Sequence, residues 1–258
     1  MPYAMPYVPD AEFRCLTSTF ASAIMLGPVA SPSPIPVEPL HFAVGDLAHI
    51  IPSTVACDSS SGSIRGVVFH YGLNGRHAFD VAVEPVCLKP DSAPDSWTIE
   101  PSGTWYRLMG GRLVEQHTTL ASWDTVEGRN YATQVVLQLT TDSAYAPFRQ
   151  GRDVTSTTFR FDGELDRLIA QNRLADTDTL ELLPTCIAGS RTATKNNVID
   201  RGQHQGICVV PAGIALNDST YGPGHEFKAK AADMGTSCPP NCIQIEFQAH
   251  GLERKPGC

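Results

Sequence analysis

Two long apolar runs separated by a turn constrain this chain more than any other feature. Ile64-Arg65-Gly66-Val67-Val68-Phe69-His70-Tyr71-Gly72 leads through Leu73-Asn74-Gly75 into a second apolar run from Phe79 to Leu88. Valine, phenylalanine and tyrosine suit a pleated, half-buried surface, and an Asn-Gly pair supplies the positive φ angles of a tight turn, so the segment reads as a β-hairpin. Before it, Gly45-Asp46-Leu47-Ala48-His49-Ile50-Ile51 reads as a short helix, followed by a turn-rich gap from Asp58 to Gly62.

A similar order returns further on. Gly163-Glu164-Leu165-Asp166-Arg167-Leu168-Ile169 repeats the pattern of glycine, acid, leucine, two variable positions and two apolar residues. A strand run from Leu180 to Ala188, a polar loop from Gly189 to Gly202 and a final apolar run, Gly206 to Val210, follow it. The expectation is an internal duplication of a helix-plus-hairpin unit. Trp105 to Leu108 and Tyr131 to Thr140 read as further strands. Upstream, Phe13, Leu16, Phe20, Ala23 and Ile24 recur at spacings of three and four, which predicts an amphipathic helix rather than a signal peptide. Pro28, Pro32, Pro34, Pro36 and Pro39 then form an extended connector, because proline lacks a backbone donor and suits neither helix interior nor central strand. The predicted fold class is α+β: two weakly related helix-plus-β-hairpin units with antiparallel strands, preceded by a helical arm. The expected divisions are 1–40, 41–150 and 151–258.

Only 18% of the 258 residues are charged, below the usual share of about 25%, while 42% are apolar, a globular composition. The net charge is −8 and the basic residues are scattered singly, so nucleic acid is not expected as a partner. No stretch reaches the roughly 18–20 apolar residues that a spanning helix needs. Eight cysteines, at 15, 57, 87, 186, 208, 238, 242 and 258, suit four bridges in an oxidising compartment. Cys87 and Cys208 lie in strand-like apolar runs, where cysteine behaves as a small buried hydrophobe. Without a convincing leader, the expectation is reduced thiols in the cytoplasm, the alternative being secretion with disulfides.

The Phe42-x-x-Gly45-Asp46-Leu47 motif, the strand Ile64-Arg65 running into Phe69-His70-Tyr71-Gly72, and the terminal Cys238-Pro239-Pro240-Asn241-Cys242 together resemble a domain family recurrent in proteins of the Bacteroidota. The resemblance covers Phe42 to Leu88 and Phe159 to Cys242. It implies a helix before a strand and a chain ending near a Cys-Pro-Pro-x-Cys motif, and it implies no activity. The two partial copies, the long loop in the second and the tail beyond Cys242 depart from the family pattern.

Cys238 and Cys242 are separated by three residues, within the range of zinc-ligand spacings, and His204, Cys208, His250 or Cys258 would supply further ligands. A local disulfide and plain structural cysteines are the competing readings. His70 and His77 flank the Asn74-Gly75 turn with Asp80 nearby, an arrangement that suits a catalytic pair or half a metal site, against the simpler reading of solvated histidines. His225-Glu226 carries general acid–base groups but lacks the second histidine of a zinc peptidase helix, so a plain loop is expected. There is no Gly-x-Ser-x-Gly elbow and no phosphate-cradling glycine pattern. The functional expectation is a non-enzymatic structural or protein-interaction component that binds a protein partner or itself. The alternative is a metal-dependent hydrolase with Cys and His ligands, zinc being the metal.

Overall fold

The computed structural model describes residues 7–8, 20–21, 24–27, 31, 33–38, 40–91, 96–137, 156–186, 205–212, 231–232, 236–238 and 244–246. Within them helices and antiparallel sheets are mixed. The strands are β1 (Tyr7–Val8), β2 (Ile24–Leu26), β3 (Ser33–Pro34), β4 (Leu40–Ala43), β5 (Ile64–Leu73), β6 (Phe79–Pro90), β7 (Ser96–Pro101), β8 (Trp105–Met109) and β9 (Arg112–Gln116). They continue with β10 (Val135–Leu137), β11 (Ser156–Arg160), β12 (Thr179–Cys186), β13 (Gln205–Pro211), β14 (Ala231–Ala232), β15 (Thr236–Cys238) and β16 (Gln244–Glu246). The α-helices are α1 (Val44–Thr54), α2 (Leu120–Trp123), α3 (Arg129–Gln134) and α4 (Asp166–Asn172), with π-turns at Asp124–Gly128 and Phe161–Leu165.

The largest sheet runs β15-β11-β5-β6-β7-β16, with β8 also pairing with β6 and carrying β9. A second runs β1-β14-β13-β12-β4, and a third β10-β2-β3. Connections between the sheets come from exchanged strands: β4 joins β12 (Phe42 opposite Leu180), while β11 joins β5 (Phe159 opposite Val67).

The period-2 pattern explains which side of β5 and β6 is inward. Phe69, Tyr71 and Leu73 alternate with even-numbered residues, and Phe79, Val81 and Val83 do the same on the partner strand. These odd positions enter one large core with Leu47, Ile50 and Ile51 of α1, Leu180 and Leu182 of β12, and Ile207 and Val209 of β13. Phe20, Ile24 and Ile35 belong to the same core. Edge-to-face contacts such as Phe69 on Phe159, at 5.8 Å between ring centroids, tie the exchanged strand to the hairpin.

Several expectations change in detail. The β5–β6 connection is a loop of five residues, 74–78, between the pair Leu73 and Phe79. Its positive φ falls on His77, at 58°, and the Asn74 side chain accepts hydrogen bonds from the backbone N–H groups of Arg76 and Ala78. Asparagine's short acceptor, rather than the Asn-Gly pair, therefore shapes this turn. Tyr131 to Gln134 is helical and Val135–Leu137 is strand, with Tyr131 packing its ring on Tyr71 and Phe79 while β10 pairs with β2, and residues 138–140 of the expected strand lie outside the described residues. Ile24 lies in β2, not in a helix: its pairing with Leu137 overrides the helical spacing. Phe13, Leu16 and Ala23 lie outside the described residues. Gly163 stands outside helical geometry at φ 95°, so the second helix becomes regular only after it. Cys87 is not a lone buried thiol: it forms a disulfide with Cys57.

Candidate functional site

The even-numbered residues of β5 and β6 form a second face that is too polar to be an ordinary core. At one end Val68, Val86 and Leu88 make a small apolar cluster with Ile64, Trp97 and Ile99. At the other end stand His70, Gly72, Asp80, Ala82 and Glu84, joined by Arg107 of β8 opposite Ala82 and by Ser156 of β11 opposite His70. Directly opposed residues in antiparallel strands share a face.

The helical run 120–134 covers this end. Trp123, 1% exposed, is its anchor. It seats over Gly72, where an added Cβ would lie 2.5 Å from Trp123 Cζ2 and 3.0 Å from Glu127 Cβ, so only glycine leaves room for the indole. The Asp124–Gly128 π-turn follows Trp123. Such turns add a residue per turn and recur at functional positions.

Charges tie the cover to the sheet. Arg107 donates to Asp80 at 3.2 Å and to Glu127 at 3.2 Å, and its guanidinium lies 5.1 Å from the centroid of the Trp123 ring. His70 Nε2 is 3.1 Å from Glu84 Oε2. Burial raises the Asp80 carboxyl above its ordinary range, with the Val81 backbone N–H and Arg107 opposing and Glu127 adding to the rise. Asp124 is exposed as a residue, yet partial desolvation against the sheet also raises its carboxyl, with His70 opposing and Glu84 adding. Two buried polar atoms nearby have no hydrogen-bond partner, Trp123 Nε1 and Thr158 Oγ1. Thr158 is opposite Val68, which is opposite Glu84, so its side chain lies on this same face.

Of the residues singled out from sequence, His70 and Asp80 belong to this face, but their partners are Glu84 and Arg107. His77 is exposed in the loop. Cys208 is buried on β13 of one sheet, and Cys238 is on β15 of another, opposite Ser156. His204, Cys242, His225, Glu226, His250 and Cys258 lie outside the described residues. Among the described residues no group of three or more His, Cys, Asp or Glu is placed to hold a metal ion. Glu84, Arg107, Asp124 and Glu127 were not singled out, although Asp80 and Glu84 interrupt an otherwise apolar strand at even spacing, which puts both on one face.

The architecture defines a protein of mixed helix and antiparallel sheet with a charged, helix-covered sheet face. Comparison with family models, with curated proteins and with solved structures finds no match.

Proposed function

We propose that this chain is a non-enzymatic structural or protein-interaction component, acting through a protein partner or a second copy of itself in an oxidising compartment. The observation that carries this reading is the use made of the charged groups on the covered face. Arg107 bridges Asp80 to Glu127 and His70 engages Glu84, so these side chains bind a helical cover to a sheet instead of converging on an open reaction centre. The Cys57–Cys87 disulfide favours secretion over the reducing cytoplasm, where such bonds are rare. No observation among the described residues favours the metal-dependent hydrolase.

The proposal includes the duplication and the resemblance to the Bacteroidota domain. Its support is the common order of strand, helix and paired strands in β4-α1-β5-β6 and β11-α4-β12-β13, with the leading strands exchanged between the two. The shared glycine does different work in each: Gly45 is closely approached by Asp176, whereas Gly163 supplies a positive φ.

Light scattering on the oxidised chain over a range of concentrations tests the interaction reading. A mass above the 27.8 kDa of one chain, or a stable complex with a co-purifying protein, is expected. A monodisperse monomer at every concentration with no co-purifying protein contradicts it.

A further inference from the structure

We infer that Asn74-Gly75 is a self-modifying site, at which the Gly75 backbone nitrogen cyclises onto the Asn74 side chain and water opens the ring to aspartate and isoaspartate. The two residues begin the 74–78 loop between β5 and β6, and the sequence contains no other Asn-Gly pair. Such a cyclisation needs a nucleophile free to approach, an activated side-chain carbonyl and a leaving group that can depart.

The loop supplies each of these. Among the described residues the Gly75 N–H donates to no acceptor, so no hydrogen bond has to break before it attacks. Gly75 is exposed, and nothing lies within 4 Å of an added Cβ, so no neighbour crowds its nitrogen. Asn74 Oδ1 accepts from the backbone N–H groups of Arg76 at 2.9 Å and Ala78 at 3.1 Å, which directs the side-chain carbonyl forward along the chain past Gly75. As the nitrogen attacks, negative charge develops on this same oxygen. Two fixed donors at roughly 2.7–3.1 Å are the arrangement that stabilises an oxyanion. These donors are fixed because Ala78 is buried and the loop is closed by Asn74 N–H on Ala78 O at 3.0 Å and His77 N–H on Asn74 O at 2.8 Å. Asn74 Nδ2 makes no hydrogen bond among the described residues, so it departs without breaking a contact.

The step is a substitution at Cγ that neither oxidises nor reduces. Solvent base takes the Gly75 amide proton, the nitrogen bonds to Cγ, and the carbonyl electron pair moves to Oδ1. When that pair returns, the Cγ–Nδ2 bond breaks and ammonia leaves with a proton from water. Water then opens the ring: cleavage at Cγ gives aspartate, and cleavage at the main-chain carbonyl gives isoaspartate. Isoaspartate lengthens the main chain by a methylene group and shifts the two backbone bonds that close the loop. The loop holds the proline segment through Phe79 N–H on Pro36 O at 2.9 Å and Arg76 on Glu38 at 3.2 Å, so the change reaches that segment.

The test incubates the full-length oxidised chain at pH 7.4 and 37 °C beside a peptide of residues 71–81. Mass spectrometry with fragmentation that separates aspartate from isoaspartate follows both. Asn74 is expected to convert ahead of Asn130 and Asn172, which precede Tyr131 and Arg173. It is also expected to convert at or above the rate of the peptide, which has the same pair without the fixed donors. Gly75→Ala, whose Cβ meets no neighbour in the folded loop, slows conversion about tenfold or more by crowding the nitrogen, a barrier raised by about 1.4 kcal/mol. Conversion slower than in the peptide overturns the inference, and so does a Gly75→Ala chain that converts at the wild-type rate. The site is independent of the interaction reading, and neither result alters the light scattering, so the two fail separately.

Discussion

Replacing Gly72 by alanine puts a methyl group where Trp123 already lies. The new Cβ would be 2.5 Å from Cζ2 and 3.0 Å from Cε2 of the indole, and 3.0 Å from Glu127 Cβ. Real Cβ contacts are longer than this, so either the sheet or the cover must move. Trp123 is 1% exposed, packs on Trp105 at 6.0 Å between ring centroids, and carries Arg107 on its face, so no flexible side-chain end is available to yield. Overpacking of this kind costs about 1–3 kcal/mol. For a chain of this size each kcal/mol lowers the melting temperature by roughly 2–4 °C, so a mid-range cost of about 2 kcal/mol gives a fall of roughly 4–8 °C. Calorimetry reads the fall, and tryptophan fluorescence reports whether the cover lifts, through loss of the Trp123 contact with Arg107. Gly75→Ala is the control: nothing lies within 4 Å of its added Cβ, and its change stays within about 0.5 kcal/mol. A Gly72→Ala protein that melts with the wild type, with unaltered fluorescence, refutes the seating of the indole on the sheet.

Other predictions follow from single contacts. Cys57→Ser opens a loop closed by a disulfide of sequence separation 30, for which chain entropy gives a loss of about 3.5 kcal/mol, measured by denaturant titration of both forms. Asp46→Ala removes the carboxylate that accepts the Leu113 N–H at 3.0 Å as well as the Arg112 side chain, and leaves a buried backbone donor unpaired at a cost of about 1–3 kcal/mol, read by the same titration. Asp124 is raised in the folded chain, so its ionisation opposes folding above that raised value and the opposition fades as pH falls toward the ordinary carboxylate value of 3.8. Asp124→Asn is therefore more stable than the wild type at pH 7, and the gain disappears near pH 4 in melting curves.

The β5–β6 hairpin was legible because ten and twelve residues of β-favouring sequence leave few alternatives, and β8, β12 and β13 were found by the same signal. Helix α1 was legible from its apolar spacing through Ile51. The turn between β5 and β6 was misread because local preference for Asn-Gly competes with the side-chain acceptor of Asn74, which widens the loop and moves the positive φ to His77. The cover was missed for a different reason. Tyr131 and Val135 carry strand preference, while the helical segment packs through the aromatic contacts of Tyr131 with Tyr71 and Phe79, which are distant in sequence. His70 stood out in the sequence, but its partner Glu84 is fourteen positions away on another strand, and no spacing rule identifies Asp124 above it. Cysteine pairing was equally hidden, since eight cysteines permit on the order of a hundred connectivities.

A double-mutant cycle on Arg107 and Glu127 tests most directly the central claim that charges on this face hold the cover to the sheet. Arg107→Met, Glu127→Gln and the double variant are compared in denaturant unfolding, with hydrogen exchange following residues 120–134. The account predicts a coupling of about 0.5–3 kcal/mol and faster exchange of the cover in each single variant. Additivity within roughly 0.3–0.5 kcal/mol, with exchange of the cover unchanged, contradicts it.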